Sequence, residues 1–121
     1  MNPGTITVCT KNTKNLSSIS READVLISAT GIPNLITKGM IKDGATVIDV
    51  GINRVMSAHG SSHIVGDVDT KEAFKVASYL AKCPNGVGQM TVAGLIENVL
   101  IAYRLQMGDK INKKEESSIQ D

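Results

Sequence analysis

Ala23-Asp24-Val25-Leu26-Ile27-Ser28-Ala29-Thr30-Gly31 is the stretch that decides how this chain folds. Val25 to Ser28 is apolar without alternation and runs into a small-residue, glycine-containing turn. This is expected of a parallel strand covered on both faces. Two further β-rich runs flank it, Thr5-Ile6-Thr7-Val8-Cys9 upstream and Thr46-Val47-Ile48-Asp49-Val50 downstream, so strands recur about every twenty residues. That interval leaves room for a helix between each pair. The expectation is an α/β fold.

The connecting segments fit this expectation. Leu16 to Ala23 can form a short helix, and Thr37 to Ile41 a helical turn capped by Thr37, after which Asp43-Gly44 reverses the chain. Asp69 followed by Glu72 reads as a capping box opening a helix through Ala77. Met56 to His63 reads as an exposed loop or hairpin tip. Val92, Leu95, Ile96, Val99, Leu100 and Tyr103 recur at helical spacing, which predicts a long amphipathic C-terminal helix starting near Thr91. From residue 108 to 121 the chain is polar and without period, so a folded unit over 1–107 and a disordered tail are expected.

Composition narrows the function classes. Thirteen basic and twelve acidic residues leave a formal charge of +1, which supplies no basic stripe for nucleic acid. Aromatic content is 2%, too little for a base-stacking platform. No apolar run approaches the 18 or so residues that a membrane span requires. A soluble intracellular protein with no membrane or nucleic-acid partner is expected. Cys9 and Cys83 form neither a CxxC pair nor a disulfide framework and read as buried free thiols.

Ligands in open parallel sheets bind beyond the carboxyl ends of the strands. Those positions are Thr10-Lys11, Thr30-Gly31-Ile32-Pro33 and Gly51-Ile52-Asn53. Gly31 and Gly51 let backbone approach a ligand or adopt positive φ, although any α/β turn can use glycine in the same way. Pro84-Asn85-Gly86-Val87-Gly88-Gln89-Met90-Thr91 places two glycines and a proline ahead of the long helix, where free N–H groups suit a phosphate or carbonyl. His59 and His63 lack a third metal ligand, so no metal site is expected. Asp69 reads as a helix cap and Asp67 as a turn residue, neither assigned to acid–base work.

Four segments, in order and spacing, resemble the methylenetetrahydrofolate dehydrogenase/cyclohydrolase family: Ala23 to Pro33, Val47-Ile48-Asp49-Val50-Gly51-Ile52-Asn53-Arg54, Val65-Gly66-Asp67-Val68 and Gly86-Val87-Gly88-Gln89-Met90-Thr91. The resemblance runs from about Thr5 to Tyr103. It implies part of a Rossmann-like NAD(P)-binding domain with a mostly parallel sheet. It also implies an enzyme that oxidises 5,10-methylenetetrahydrofolate with NADP or NAD and then hydrolyses the methenyl product. By resemblance, Thr10, Lys11, Thr30, Gly31, Ile32, Gly51, Ile52, Asn53, Gly88 and Thr91 hold the cofactor, with Ile52 against the nicotinamide. Pro84, Gly86, Val87, Gly88 and Met90 border the folate. A lysine at position 11 suits a 2′-phosphate and hence NADP over NAD. Family members are commonly dimers, so a homodimer of the complete enzyme is expected.

The chain also departs from the family pattern. Where relatives read Thr-Pro-Val-Pro-Gly-Gly-Val-Gly-Pro-Met-Thr, residues 81–91 differ at five of eleven positions, two of them prolines. Asn85 tolerates positive φ and can keep the turn, while loss of the prolines raises the entropic cost of ordering the loop. The family's first strand, Gly-Arg-Ser phosphate loop and Tyr-x-x-x-Lys pair have no counterpart in these residues, so no catalytic residue is assigned within them. A fragment of the bifunctional enzyme without activity of its own is expected. The alternatives are a non-catalytic nucleotide-binding or regulatory module of that family, and another nucleotide-dependent dehydrogenase, such as a shikimate dehydrogenase.

Overall fold

The computed structural model describes residues 4–107, so the tail expected over 108–121 lies outside the described residues. Two units are distinguished, one built on Cys9–Met90 and the other on the segments that flank it. The first carries the sheet. In chain order its elements are α1 (Leu16–Ser20), β1 (Val25–Ser28), a 3-10 turn (Lys38–Met40), β2 (Thr46–Asp49), β3 (Asn53–Met56), β4 (Ser62–Val65), α2 (Thr70–Ala73) and β5 (Tyr79–Ala81).

β1 and β5 flank β2, and both pair with it in parallel, Val25 opposite Thr46 and Thr46 opposite Tyr79. β2 is central because both its edges are paired and its side chains are taken in, with Val47 fully buried and Asp49 nearly so. Around Val47 pack Ile36, Ile41, Ala45, Val68 and Ala73, with Leu26, Met40, Val76 and Leu80 at the margin. The core is small and aliphatic, as a chain with 2% aromatics requires. β5 leaves no mark in the sequence pattern, since Tyr79-Leu80-Ala81 is too short to show a period.

The structure corrects several expectations. Thr5 to Cys9 forms no ladder among the described residues, and Ile6 and Val8 are exposed. A strand exists only through the N–H and C=O groups of a neighbour, and β1 pairs on one side alone, with β2. β1 is also not covered on both faces: Val25 and Ile27 are exposed while Ser28 is buried. Thr37 sits at the start of the 3-10 turn and its backbone carbonyl accepts from Met40 N at 2.9 Å, but its side chain makes no cap. α1 stops at Ser20, with Glu22 N and Ala23 N continuing as turns to Ile19 O and Ser20 O.

Other expectations hold in whole or in part, with shifted helix bounds. Met56 to His63 is a hairpin tip, with β3 and β4 antiparallel and encroaching on both its ends. Ser57 N donates to Ser61 O at 2.7 Å, and Gly60 takes φ +79° there. The carboxylate of Asp69 caps α2 by accepting from Lys71 N and Glu72 N. The reciprocal half of the box is unused, because Asp69 N already donates to Ile36 O in the parallel bridge between Ile36 and Val68. Helical bonding beyond Ala73 reaches Ala77, whose N–H donates to Ala73 O. A third helix, α3 (Val87–Gln106), begins four residues before Thr91, since the run contains no breaker and glycine at 88 costs only about 1 kcal/mol. Its apolar residues, including Val92, Leu95, Ile96 and Val99, are exposed. No described helix is long and apolar enough to cross a membrane.

Candidate functional site

Parallel pairing puts the carboxyl ends of β1, β2 and β5 on one edge of the sheet. Beyond β1 the chain runs Ala29-Thr30-Gly31-Ile32, with Gly31 at φ +70°, a value that L side chains rarely adopt. Beyond β2 it runs Val50-Gly51-Ile52 into the hairpin. Val50 N donates to Ser28 O at 2.8 Å, which extends the ladder one step past the strands. Thr30, Gly31 and Ile32 are exposed, Gly51 and Asn53 are buried, and Ile52 between them is 73% exposed.

Two buried carboxylates organise this edge. Asp67, fully buried, follows β4. Its Oδ2 accepts from Ser28 Oγ at 3.2 Å, Thr30 Oγ1 at 2.9 Å, Gly31 N at 3.2 Å and the Thr30 N–H. Its Oδ1 accepts from Asn53 Nδ2 at 2.8 Å. Burial raises the Asp67 carboxyl pKa, but the bonds from Asn53, Thr30 and Gly31 together outweigh it and hold the group below the usual aspartate value. Asp49, at the end of β2, accepts from Gly51 N and Asp67 N, each at 3.0 Å, and from Val68 N at 3.1 Å. One carboxylate thus fixes the backbone that carries the other.

Two glycines make room for this arrangement. A β-carbon at Gly51 would overlap the Asp67 carboxylate, and one at Gly66 would overlap that of Asp49. The reading of Asp67 as a turn residue is therefore corrected: it is a buried hub with five donors. The signal was present in the sequence, since Asp49 and Asp67 each sit among valines and isoleucines where an unpaired charge would be costly.

Beyond β5 lies the loop that departs from the family pattern. Asn85 adopts φ 73°, as expected, and a β-carbon at Gly86 would meet Lys82 O, so the turn requires a glycine there. Cys83 is half-buried; burial and then the negative charges of Asp49 and Asp67 push its thiol pKa up. With Pro84, Asn85, Lys82, Phe74 and the end of β4, Cys83 lines an open cleft of about 420 Å³. Val87, Gly88, Met90 and Thr91 fall in the first turns of α3 rather than in the loop. Thr10 and Lys11 occupy an exposed turn in which Thr10 N donates to Thr13 Oγ1 at 2.8 Å.

A parallel α/β sheet with glycine turns gathered at its strand carboxyl ends defines a Rossmann-like, dinucleotide-binding class of domain. Over residues 1–107 the sequence matches the NAD(P)-binding domain of tetrahydrofolate dehydrogenase/cyclohydrolase, and the chain belongs to that family. It is 47% identical over 104 residues to the bifunctional protein FolD of Azorhizobium caulinodans, an alignment covering 86% of this chain and 36% of the relative. The solved structure of the bifunctional FolD dehydrogenase/cyclohydrolase from Campylobacter jejuni aligns with TM-score 0.75 at 45% identity, covering 84% of this chain and 35% of that one. A Trypanosoma brucei FolD structure, solved with NADP and an inhibitor, aligns with TM-score 0.71 at 37% identity, covering 77% and 32% respectively. The chain spans about a third of the length of these relatives.

Proposed function

We propose that residues 1–107 are the cofactor-gripping part of a bifunctional enzyme that oxidises 5,10-methylenetetrahydrofolate with NADP and hydrolyses 5,10-methenyltetrahydrofolate. The observation that carries this reading is the pair of strand-end turns held in one frame by Asp67, with exposed Ile52 between buried Gly51 and buried Asn53. Ile52 offers apolar surface to one face of a flat ring, and Gly31, in the turn after β1, has nothing within 4 Å of where a side chain would stand. Thr30, Gly31, Ile32, Gly51, Ile52 and Asn53 are the nicotinamide-side contacts in this reading, with Thr10, Lys11, Gly88 and Thr91 completing the cofactor set. Lys11, an exposed cation in the Thr10–Thr13 turn, would favour the 2′-phosphate of NADP. Pro84, Gly86, Val87, Gly88 and Met90 would border the folate.

The cofactor supplies the hydride-accepting carbon. These residues bind and orient it and exclude water from one face of the ring. The 121 residues contain no Tyr-x-x-x-Lys pair, so proton transfer is assigned outside them. The test is to join this chain in frame to the N-terminal two-thirds of the Campylobacter jejuni relative and follow NADPH formation from 5,10-methylenetetrahydrofolate. Folate-dependent NADPH formation is expected. A folded, soluble hybrid that forms none would refute the assignment.

A further inference from the structure

We propose that Asp67 is the positioning residue of the cofactor platform: its carboxylate locks the Thr30-Gly31 turn against Asn53, and Asp49 locks the backbone of Asp67. The inference deepens the cofactor reading and, for its functional consequence, rests on it. The platform is built from two separate chain excursions, the turn after β1 and the entry to the hairpin after β2, and neither holds the other through backbone bonds beyond Val50 N to Ser28 O. What joins them is one side chain. Oδ2 collects two backbone N–H groups and the Thr30 hydroxyl from the first excursion, together with the hydroxyl of Ser28 at the end of β1, and Oδ1 takes the Asn53 amide from the second.

No cation faces this buried group among its bonding partners; the donors are neutral. A carboxylate suits the position because only an ionised one accepts at both oxygens without donating. Several charge-assisted bonds in a water-poor setting also hold the turn more tightly than neutral pairs would. Gly51 and Gly66 are the spatial complement of the device, each lacking the β-carbon that would displace a carboxylate. Asp67 would not touch the reacting atoms. Its contribution is to present Thr30, Gly31 and Ile52 already arranged, which lowers the ordering cost of binding.

The Asp67–Asn53 pair allows a test by exchange of the two groups. Asn53→Asp alone sets two carboxylates against each other. Asp67→Asn combined with Asn53→Asp restores one donor facing one acceptor, leaving the carbonyl oxygen of the amide introduced at position 67 for the turn. Amide hydrogen exchange is measured on the full chain and on Asn53→Asp, Asp67→Ala and the exchanged pair, with NADP+ affinity of the same samples by calorimetry. In the parent, Thr30 and Gly31 amides should be protected although the turn is exposed. Asp67→Ala and Asn53→Asp should raise their exchange about ten-fold or more, as expected for losing a bond to a charged acceptor. Val47 and Ile48 amides report any loss of global stability and serve as the internal reference, and the exchanged pair, which offers the turn a neutral carbonyl oxygen, should recover part of the protection lost in Asn53→Asp.

NADP+ affinity should follow the same order. Parent Thr30 and Gly31 amides that exchange like those of an open turn would overturn the proposal without reference to any variant. An exchanged pair no better than Asn53→Asp, with its core protected, would overturn it too. Absence of NADP+ binding by the parent refutes the cofactor reading instead, and the exchange data still decide the role of Asp67.

Discussion

Gly51→Ala is the substitution whose cost the geometry fixes most narrowly. The added β-carbon would stand inside the Asp67 carboxylate, which is fully buried and held by five donors, so the overlap cannot be relieved by swinging a flexible chain end aside. Either Asp67 withdraws and at least one of its bonds is lost, at about 1.5–3 kcal/mol for a charged acceptor, or the Gly51 backbone shifts. A backbone shift also strains the Gly51 N to Asp49 Oδ1 bond and costs about 1–3 kcal/mol as overpacking. Whichever gives way, the expected loss is about 1–3 kcal/mol, a substantial share of the ~5–15 kcal/mol that holds a domain folded. Urea unfolding followed by far-ultraviolet circular dichroism measures it. Gly39→Ala is the control: a β-carbon there meets only Thr37 Oγ1 at 4.0 Å and the backbone φ is ordinary, so a gain of about 0.4–1 kcal/mol is expected. If Gly51→Ala unfolds within about 0.5 kcal/mol of the parent, the Asp67 hub is not rigid and the reasoning fails.

Other outcomes follow from the same frame. Because the folded-state pKa of Asp67 lies below its ordinary value of 3.8, its contribution to stability is fully present above that value and is lost as pH falls below it and through the folded-state pKa. The urea midpoint of the parent should therefore drop below about pH 4, and Asp67→Asn should drop less steeply. Cys83, its thiol pKa raised, should be alkylated by iodoacetamide at pH 7 more slowly than free cysteine, and faster once Asp67→Asn removes a nearby negative charge. In the hybrid enzyme, Lys11→Ala should raise KM for NADP by about ten-fold or more while leaving NAD little changed, as loss of a cation from a phosphate implies; equal effects on both cofactors would remove Lys11 from that role. The 121-residue chain alone should produce no folate-dependent NADPH.

Much of the fold was legible because β1 and β2 are β-rich runs about twenty residues apart: Val25-Leu26-Ile27-Ser28 and Thr46-Val47-Ile48-Asp49 are both strands. Thr5 to Cys9 shows the limit of that method. Its residues favour a strand as strongly, but pairing is a property of two segments, and no ladder forms on it. Tyr79–Ala81 is the converse, a run too short to read locally that becomes a strand because the open edge of β2 receives it. At the site, Gly31 and Gly51 were visible as glycines after strands. The stronger reason for Gly51, the buried carboxylate of Asp67 lying 16 positions downstream, is a tertiary fact that no local window contains. Asp67 beside Gly66 has the composition of a turn; its apolar neighbours are the local sign of burial, and only the fold brings its five donors to it.

Titration of the isotope-labelled chain with NADP+, followed by amide chemical shifts, tests the central claim most directly. The account predicts saturable shifts concentrated at Thr30, Gly31, Gly51, Ile52 and Asn53. Saturable shifts that spare all five of these residues, or no shifts at any NADP+ concentration, would contradict it.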